Sequence, residues 1–369
     1  MVEYICERCG KKFSQKSHYT SHKNRKNPCE NNIANIADII EKKVNEKISE
    51  LTKTKKKIKV KKEKLNVDIT GIKFEKPFIK WVGGKTQIIS DIVSKFPSEI
   101  ENYHELFLGG GSVLFALLTL QRDGRIKING KVYVYDLNKT LINVYKHIQN
   151  NKDELHEYLS TIFKDYNDIT GKTINRKPET IEEAKTSKES YFYWIRKQFN
   201  EIDKDSVHAS AMFIFLNKTC FRGVYREGPN GFNVPYGHYK KTPSFFTETE
   251  LSKLSELIKD VQFVNCSFKD SIKNAKKKDF VYLDPPYAPE TKTSFVGYTL
   301  NGFCLETHKY LFNEILELNK KKIKFVLSNA KVDLVEEYFK DFKIDNIKAR
   351  RAINSKNPEA TTTEVIIYN

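Results

Sequence analysis

Short apolar runs and amphipathic stretches alternate along most of the chain, and this alternation predicts strands separated by helices. Buried strands are predicted at 132–135, 280–283 and 325–327, where an apolar run ends in polar residues. Helical spacing of apolar residues lies between such runs, for example from Leu305 to Leu318. We therefore predict an α/β fold with a Rossmann-like, mostly parallel sheet, whose ligand sites lie at the carboxyl ends of its strands.

Two regions depart from this alternation. Residues 150–250 are helical and irregular, which predicts an inserted subdomain. Apolar residues at helical spacing in 36–51 predict a short amphipathic helix, and the Lys-rich run 53–64 after it predicts a basic linker. This helix could associate with a copy of itself, or it could be a simple spacer. The predicted domains are a small N-terminal module at 1–32, the helix and linker at 33–70, and the main domain at 71–369.

The charge of the chain points to a polyanionic partner. The formal net charge is +17, and residues 1–66 alone hold 18 Lys and Arg against 8 Asp and Glu. Clustered basic side chains release counterions when they bind phosphates, so a DNA-contacting arm and a merely solvated linker are both open. No apolar run approaches the roughly 18 residues that span a bilayer. We expect no membrane contact and an intracellular location, either cytoplasmic or, for a eukaryotic or viral source, in the nucleus or a viral factory.

Three of the six cysteines crowd the N-terminus around a histidine. The order is a Cys-x-x-Cys pair, twelve residues, a His, six residues and a Cys, which resembles zinc-finger spacing with a long final gap. A segment this short and polar needs a metal to fold. His18 is an alternative fourth ligand, and a metal-free tail is the competing interpretation. The basic stretch 16–26 favours contact with nucleic acid, with protein contact still open. The predicted Zn²⁺ ligands are Cys6, Cys9, His22 and Cys29.

A glycine-rich turn follows a predicted strand at Glu105 and precedes a predicted helix at 113–120. Three successive glycines, 109–111, let the turn approach a ligand without obstruction by a Cβ atom. Asp136 closes the next strand, where an acidic side chain can accept ribose hydroxyls or simply cap a helix. The turn alone would fit several nucleotide-like ligands.

A more informative motif is Asp284-Pro285-Pro286-Tyr287, which directly follows the strand at 280–283. The two prolines end the strand and leave rigid carbonyls without competing amide donors. The amine of adenine is a poor nucleophile because its lone pair is delocalised, and it improves when acceptors hold both hydrogens. The Asp284 carboxylate and the Pro285 carbonyl can form such a pair, while Tyr287 can stack on an extruded base.

Taken together, these motifs resemble those of Dam-type DNA adenine methyltransferases (D12 class, alpha group), with the resemblance running from about residue 76 to the C-terminus. The matching segments are Lys80-Trp-Val-Gly-Gly-Lys85, Phe107-Leu-Gly-Gly-Gly111, Asp284-Pro-Pro-Tyr287, Ser328-Asn329 and Arg350-Arg351. The resemblance implies transfer of a methyl group from S-adenosylmethionine to adenine N6, as in restriction–modification systems. The residues it implies for the cofactor pocket are Trp81, Lys85, Phe107, Gly109, Gly111, Asp136 and Asp284.

The inserted region resembles the target-recognition hairpin of the same family. It reads Leu216 to Arg226 followed by Gly231 to Gly237. Arg226 would read a guanine in the major groove, whereas Arg222 departs from the small polar residue common there and fits a phosphate better. Phe221 would stack near the everted base. GATC is the first choice of site and CATG or another short palindrome the alternative. The DNA-binding residues implied are Lys80, Phe221, Arg222, Arg226 and Pro235.

The sequence predicts a site-specific adenine methyltransferase that acts on duplex DNA by base flipping. Other functions remain alternatives to this prediction. One alternative is methylation of the exocyclic amine of cytosine, or of adenine in RNA. Another is a catalytically silent zinc-finger protein that only binds DNA. Asp rather than Ser at 284 favours adenine by resemblance, and intact cofactor residues argue against a silent protein.

Overall fold

The computed structural model describes residues 3–27, 29, 67–241, 243–288, 303–350 and 361–369. The chain divides into two compact units, residues 1–63 and 64–369. The amphipathic helix predicted at 36–51 and the Lys-rich run at 53–64 lie outside the described residues, so both stay predictions.

The first unit contains a small ββα module. Strands β1 (Tyr4–Ile5) and β2 (Lys12–Phe13) pair antiparallel, and helix α1 (Lys16–Lys23) follows them. The helix is shorter than the basic stretch that predicts it, because its C-cap is already at Asn24. Between sheet and helix, the Phe13 and His22 rings lie 4.9 Å apart.

A seven-stranded sheet forms the centre of the second unit, in the order β12-β13-β11-β10-β4-β6-β9. The pairs from β11 to β9 are parallel, whereas β13 runs antiparallel to both of its neighbours. This arrangement confirms the predicted α/β class. The strands are β4 (Tyr103–Glu105), β6 (Val132–Asp136), β9 (Val261–Asn265), β10 (Phe280–Leu283), β11 (Lys324–Ala330), β12 (Lys343–Arg350) and β13 (Thr361–Tyr368). A smaller parallel pair is β3 (Glu99–Ile100) with β5 (Lys127–Ile128).

Helices connect the strands of the sheet. The segment that follows the glycine turn is apolar on all sides, and residues 112–120 are buried throughout, as expected of a helix inside the core. None of the helices within the described residues combines the length and apolar character that a membrane crossing requires. The connecting helices are α2 (Ile89–Val93), α3 (Ser112–Arg122), α4 (Lys139–Asn150), α9 (Glu248–Ile258), α10 (Phe268–Ser271), α11 (Leu305–Lys320) and α12 (Asp333–Phe339).

Between β6 and β9 the chain leaves the sheet and forms a helical region. Its core is aromatic: the ring of Phe215 lies 5.3 Å from that of Phe163 and 5.2 Å from that of Tyr166. The helices are α5 (Lys152–Asp168), α6 (Ile181–Ala184), α7 (Lys188–Glu201) and α8 (Val207–Thr219). A 3₁₀ turn at Phe221–Gly223 and a hairpin of β7 (Glu227–Gly228) and β8 (Gly231–Phe232) complete the region.

The strand order reverses between β4 and β10. From β4 the chain continues outward through β6 and β9, and then returns to the other side of β4 with β10 and β11. In open α/β sheets such a reversal opens a crevice at the carboxyl ends of the two strands. The glycine turn follows β4 and Asp284 follows β10, so the topology brings the two motifs to the same crevice.

Candidate active site

The glycine turn is fixed to the sheet on both sides. The backbone N–H of Leu106 donates to the carbonyl of Tyr282 on β10 (3.1 Å), and that of Leu108 donates to the carbonyl of Tyr135 on β6 (2.9 Å). The N–H of Gly109 then donates to Oδ2 of Asp136 (3.0 Å). Because Oδ1 of Asp136 accepts from the Asn138 N–H (2.8 Å), the carboxylate is held by one hydrogen bond on each oxygen and keeps free lone pairs.

Close approach of aromatic rings explains why the turn consists of glycines. A Cβ atom at Gly109 would lie 2.8 Å from Cδ1 of Trp81, and one at Gly111 would lie 2.6 Å from the Tyr145 hydroxyl. Both glycines also have positive φ, 49° and 73°, which side chains disfavour. The turn is therefore both strained for other residues and packed directly beneath Trp81. The indole itself stacks on Tyr225 of the inserted region, with ring centroids 5.7 Å apart.

Asp284 presents one paired and one unpaired oxygen. Its Oδ2 lies 2.7 Å from Nζ of Lys85, which is itself buried and also donates to the Gly83 carbonyl. Its Oδ1 is buried and has no hydrogen-bond partner among the residues that the structure describes. Burial raises the pKa of Asp284 to about 6, although Lys85 acts in the opposite direction. An unpaired buried acceptor costs stability, so this oxygen is a strong indication of a ligand that donates to it.

Three carboxyl groups converge on this end of the sheet. Burial, together with the charges of Asp284 and Asp136, raises the pKa of Glu105 to about 8, although the hydrogen bond from the Tyr103 hydroxyl acts in the opposite direction. Burial likewise raises the pKa of Asp136. Lys85 is the basic group paired with Asp284, and no basic side chain among the described residues pairs with Glu105 or Asp136. The cluster therefore favours a cationic ligand.

Tyr287 lies beside this pair and is anchored by a residue of β13. Its ring centroid is 4.9 Å from Nζ of Lys85, and its hydroxyl donates to Oε2 of Glu364 on β13 (2.6 Å). Burial and the charges of Asp284 and Glu364 raise the Tyr287 pKa well above its usual value. Glu364 was missed in the sequence, which carries no local signal for it.

The Ser-Asn pair supports the same segment from β11. Oδ1 of Asn329 accepts the N–H of Ala288 (3.0 Å), and the Ser328 hydroxyl lies 3.0 Å from that of Tyr282. The pair lies inside β11 rather than after it, because β13 pairs with this strand as far as Ala330. Of the two arginines in the family-like motif, Arg350 ends β12 and Arg351 is outside the described residues.

Lys80 is connected to the inserted region through Asn217, which was not identified from the sequence. The side-chain amide of Asn217, in the last turn of α8, accepts from the Lys80 N–H (2.9 Å) and donates to the Lys80 carbonyl (2.8 Å). It also donates to the carbonyl of Gly223 (3.2 Å). The Lys80 ammonium lies 4.5 Å from the ring centroid of Tyr239. Asn217 thus joins the Lys80-Trp81 segment to the insertion.

The remaining predicted contact residues lie in the 3₁₀ turn after α8 and in the segments that flank the β7–β8 hairpin. The N–H of Phe221 donates to the carbonyl of Pro235 (2.8 Å), and the Phe221 ring is 49% exposed. Arg226 is exposed, and its Nε donates to Oδ1 of Asn233 (2.7 Å), which orients the guanidinium. Arg222 has a positive φ of 58° in the 3₁₀ turn, and its guanidinium lies 5.3 Å from the Phe221 ring centroid.

In the N-terminal module, the four predicted metal ligands come together. The ligand atoms of Cys6, Cys9, His22 and Cys29 all lie within 4.8 Å of one another. Sγ of Cys6 is 3.7 Å from Sγ of Cys29, close to the separation of about 3.8 Å between two sulfurs in a tetrahedral zinc site. His18, the alternative ligand, is exposed and outside this cluster.

Comparisons with a family model and with individual proteins point to the same family. Residues 81–353 match the family described as D12 class N6 adenine-specific DNA methyltransferase. The type II methyltransferase M.MjaIII of Methanocaldococcus jannaschii is 38% identical over 291 residues, which cover 76% of this chain and 93% of that protein. The type II methyltransferase M1.LlaDCHI of Lactococcus lactis is 32% identical, over 80% and 95% of the two chains. The DNA adenine methylase of Haemophilus influenzae is 31% identical, over 77% and 89%.

Proposed function

This chain belongs to the D12 class of N6 adenine-specific DNA methyltransferases, and we propose that it transfers a methyl group from S-adenosylmethionine to an adenine everted from a short duplex DNA site. The observation that carries this proposal is the buried, unpaired Oδ1 of Asp284 at the crevice between β4 and β10. An amino group with two hydrogens is a ligand that such an acceptor would bind.

The carboxyl cluster supports S-adenosylmethionine as the donor. Its sulfonium and ammonium groups are positive, and they would stabilise the ionised forms of Glu105 and Asp136, whose pKa values are raised by burial. Asp136 would accept the ribose hydroxyls with its free lone pairs, while Trp81 and the glycines would bound the pocket. When bound, the donor supplies an electrophilic methyl group. The pocket residues proposed are Trp81, Lys85, Phe107, Gly109, Gly111, Asp136 and Asp284.

On the acceptor side, the residues after β10 would hold and polarise the target base. Oδ1 of Asp284 and the carbonyl of Pro285 would accept the two amino hydrogens and favour a tetrahedral nitrogen with an available lone pair. Pro285 and Pro286 keep this turn rigid, and Tyr287 would stack on the base. Lys85 holds the other Asp284 oxygen and so fixes the carboxylate. Catalysis then comes mainly from orientation, without a covalent intermediate.

The insertion would read the duplex site. Asn233 orients the exposed Arg226, which could donate two hydrogen bonds to O6 and N7 of a guanine. Phe221, exposed beside Pro235, would occupy the gap left by the everted base, and Arg222 would contact a phosphate. Lys80, whose backbone is held by Asn217 of the insertion, would contact the same DNA site. We take GATC as the site, in keeping with the family-like recognition segment.

A methyl-transfer assay tests this proposal. The full-length protein is incubated with labelled S-adenosylmethionine and one of three substrates: a GATC duplex, a CATG duplex or a single-stranded RNA containing GAUC. We expect label on N6 of adenine in the GATC duplex. Label on CATG alone would overturn the site but keep the reaction. Label on RNA alone, or on none of these substrates and not on unmethylated genomic DNA either, would overturn the proposed reaction.

The activity should depend on the ionisation of Asp284. A protonated Asp284 would present a hydroxyl donor toward the target amine, so the ionised carboxylate is the active form. With a pKa of about 6, transfer at pH 5 should be about tenfold below its plateau above pH 7. Because the charge of Glu364 raises this pKa, Glu364→Gln should move the acidic limb to lower pH. A pH profile of kcat/KM for DNA measures both effects, because it reports the pKa values of the free protein, and identical limbs in the two proteins would contradict the assignment.

We also propose that the N-terminal module binds one Zn²⁺ through Cys6, Cys9, His22 and Cys29. The full-length protein should hold about one zinc ion per chain, and Cys9→Ser should lose it, because three ligands cannot complete the tetrahedral site. Cys304→Ser is the matched control, since Cys304 is exposed and outside the cluster. Elemental analysis of the dialysed proteins measures the metal. Equal zinc in wild-type protein and Cys9→Ser would contradict the ligand set.

A further inference from the structure

The residues assigned to the methyl-transfer crevice all belong to the second unit. The family match begins at residue 81, whereas the described module occupies 3–27 and 29. We propose that this module is a second DNA reader, which binds a duplex element of about three base pairs in the major groove through Gln15, His18 and Ser21. The proposal concerns the module alone and goes beyond the methylation site.

The geometry of the module places these three residues at reading positions. In a metal-held ββα unit, the residue before the helix and its third and sixth residues face successive bases. Helix α1 begins at Lys16, with Gln15 as its N-cap. The third and sixth helical residues are then His18 and Ser21, and the seventh is the metal-cluster residue His22.

The three side chains are available for a ligand. Gln15, His18 and Ser21 are exposed, and within residues 3–27 and 29 none of them makes a side-chain hydrogen bond. Although Gln15 is at the N-cap, its side chain does not cap the helix. By contrast, Tyr19 and His22 turn toward the module's core, where their rings lie 6.1 and 4.9 Å from that of Phe13.

Charge favours a nucleic acid over a protein as the partner. From Arg8 to Cys29 the sequence holds seven Lys and Arg and no Asp or Glu. Such a run would bind phosphates on both sides of a groove. Protein hot spots are instead built on buried aromatic and apolar anchors. Within the described module, Ile5 is the one strongly exposed large apolar side chain, at 48%.

The chemistry of the three side chains fits base edges in duplex DNA. The Gln15 amide can bind N6 and N7 of an adenine with two hydrogen bonds. An imidazole N–H of His18 can donate to a purine acceptor, and the Ser21 hydroxyl can either donate or accept. The deep, narrow major groove of A-form RNA would exclude α1, so a duplex DNA element is the matching ligand.

Selection from a randomised duplex library tests the inference. The full-length protein, a triple variant (Gln15→Ala, His18→Ala and Ser21→Ala) and the control Thr20→Ala each select bound DNA, which is then sequenced. Thr20 is exposed and lies about 200° around the helix from His18. Zinc content is measured in all three proteins, since the surface substitutions leave the metal ligands intact.

We expect the wild-type protein and Thr20→Ala to enrich a three-base-pair element besides the methylation site. The triple variant should lose that element, bind it roughly 5- to 150-fold more weakly, and still methylate its own site. Enrichment of the same element by the triple variant would overturn the residue assignment. No element beyond the methylation site, or competition by RNA in preference to duplex DNA, would overturn DNA reading by the module.

Discussion

Replacement of Asp284 by Ala is expected to lower the rate constant of methyl transfer at least about a hundredfold while leaving affinity for duplex DNA within about threefold. The substitution removes the unpaired Oδ1, which is proposed to accept an amino hydrogen of the target adenine. Loss of one preorganised hydrogen-bonding group in an active site costs about 10²- to 10³-fold. Single-turnover kinetics at saturating donor measure the chemical step, and filter binding measures the affinity for DNA.

Asp279→Asn provides the matched control at the other end of β10. Asp279 is also buried, but it accepts from Asn102 and lies 3.2 Å from Nε2 of His104, away from the crevice. Its substitution should lower the melting temperature without a comparable loss in the rate constant. If the rate constant of methyl transfer fell equally in Asp284→Ala and Asp279→Asn, Asp284 would have only a structural role.

Gly109→Ala is expected to weaken donor binding at least about tenfold. The added Cβ would lie 2.8 Å from Cδ1 of Trp81, so the indole or the turn that it covers must move. Ala at a positive φ also costs about 1 kcal/mol in stability, whatever the space around it. Isothermal titration with S-adenosylmethionine would measure the change.

Gly124→Ala separates these two effects. Gly124 has a positive φ of 70°, and nothing lies within 4 Å of an added Cβ. This variant should show the loss in stability alone and bind the donor like the wild-type protein. Equal donor affinity in Gly109→Ala and Gly124→Ala would contradict the packing of Trp81 over the turn as the basis of the pocket.

The sequence predicted those parts of the fold whose signals are local. Each of the strands at 132–136 and 280–283 is an apolar run that ends in turn residues. The glycine turn and Asp284-Tyr287 are likewise recognisable from neighbouring residues alone. The pairing of strands that are distant in sequence was harder to predict. Strand β11 extends through Ser328 and Asn329 because β13 pairs with it from 34 or more residues away, which no local pattern contains.

The residues that support the site could not be predicted from the sequence for the same reason. Asn217 lies 137 residues from Lys80, and Glu364 lies 77 residues from Tyr287. As an isolated residue, each reads as an ordinary polar side chain in a helix or a strand. Their functions depend on which strands and helices become neighbours, and this follows from the complete sheet order rather than from spacing.

The most direct measurement is a crystal structure of the protein with a non-reactive S-adenosylmethionine analogue and a duplex containing the unmethylated target site. The account predicts an everted adenine whose N6 lies about 3 Å from both Oδ1 of Asp284 and the carbonyl of Pro285, with the Tyr287 ring stacked on the base. An adenine N6 far from Asp284, with Oδ1 still unpaired beside the bound analogue, would contradict it.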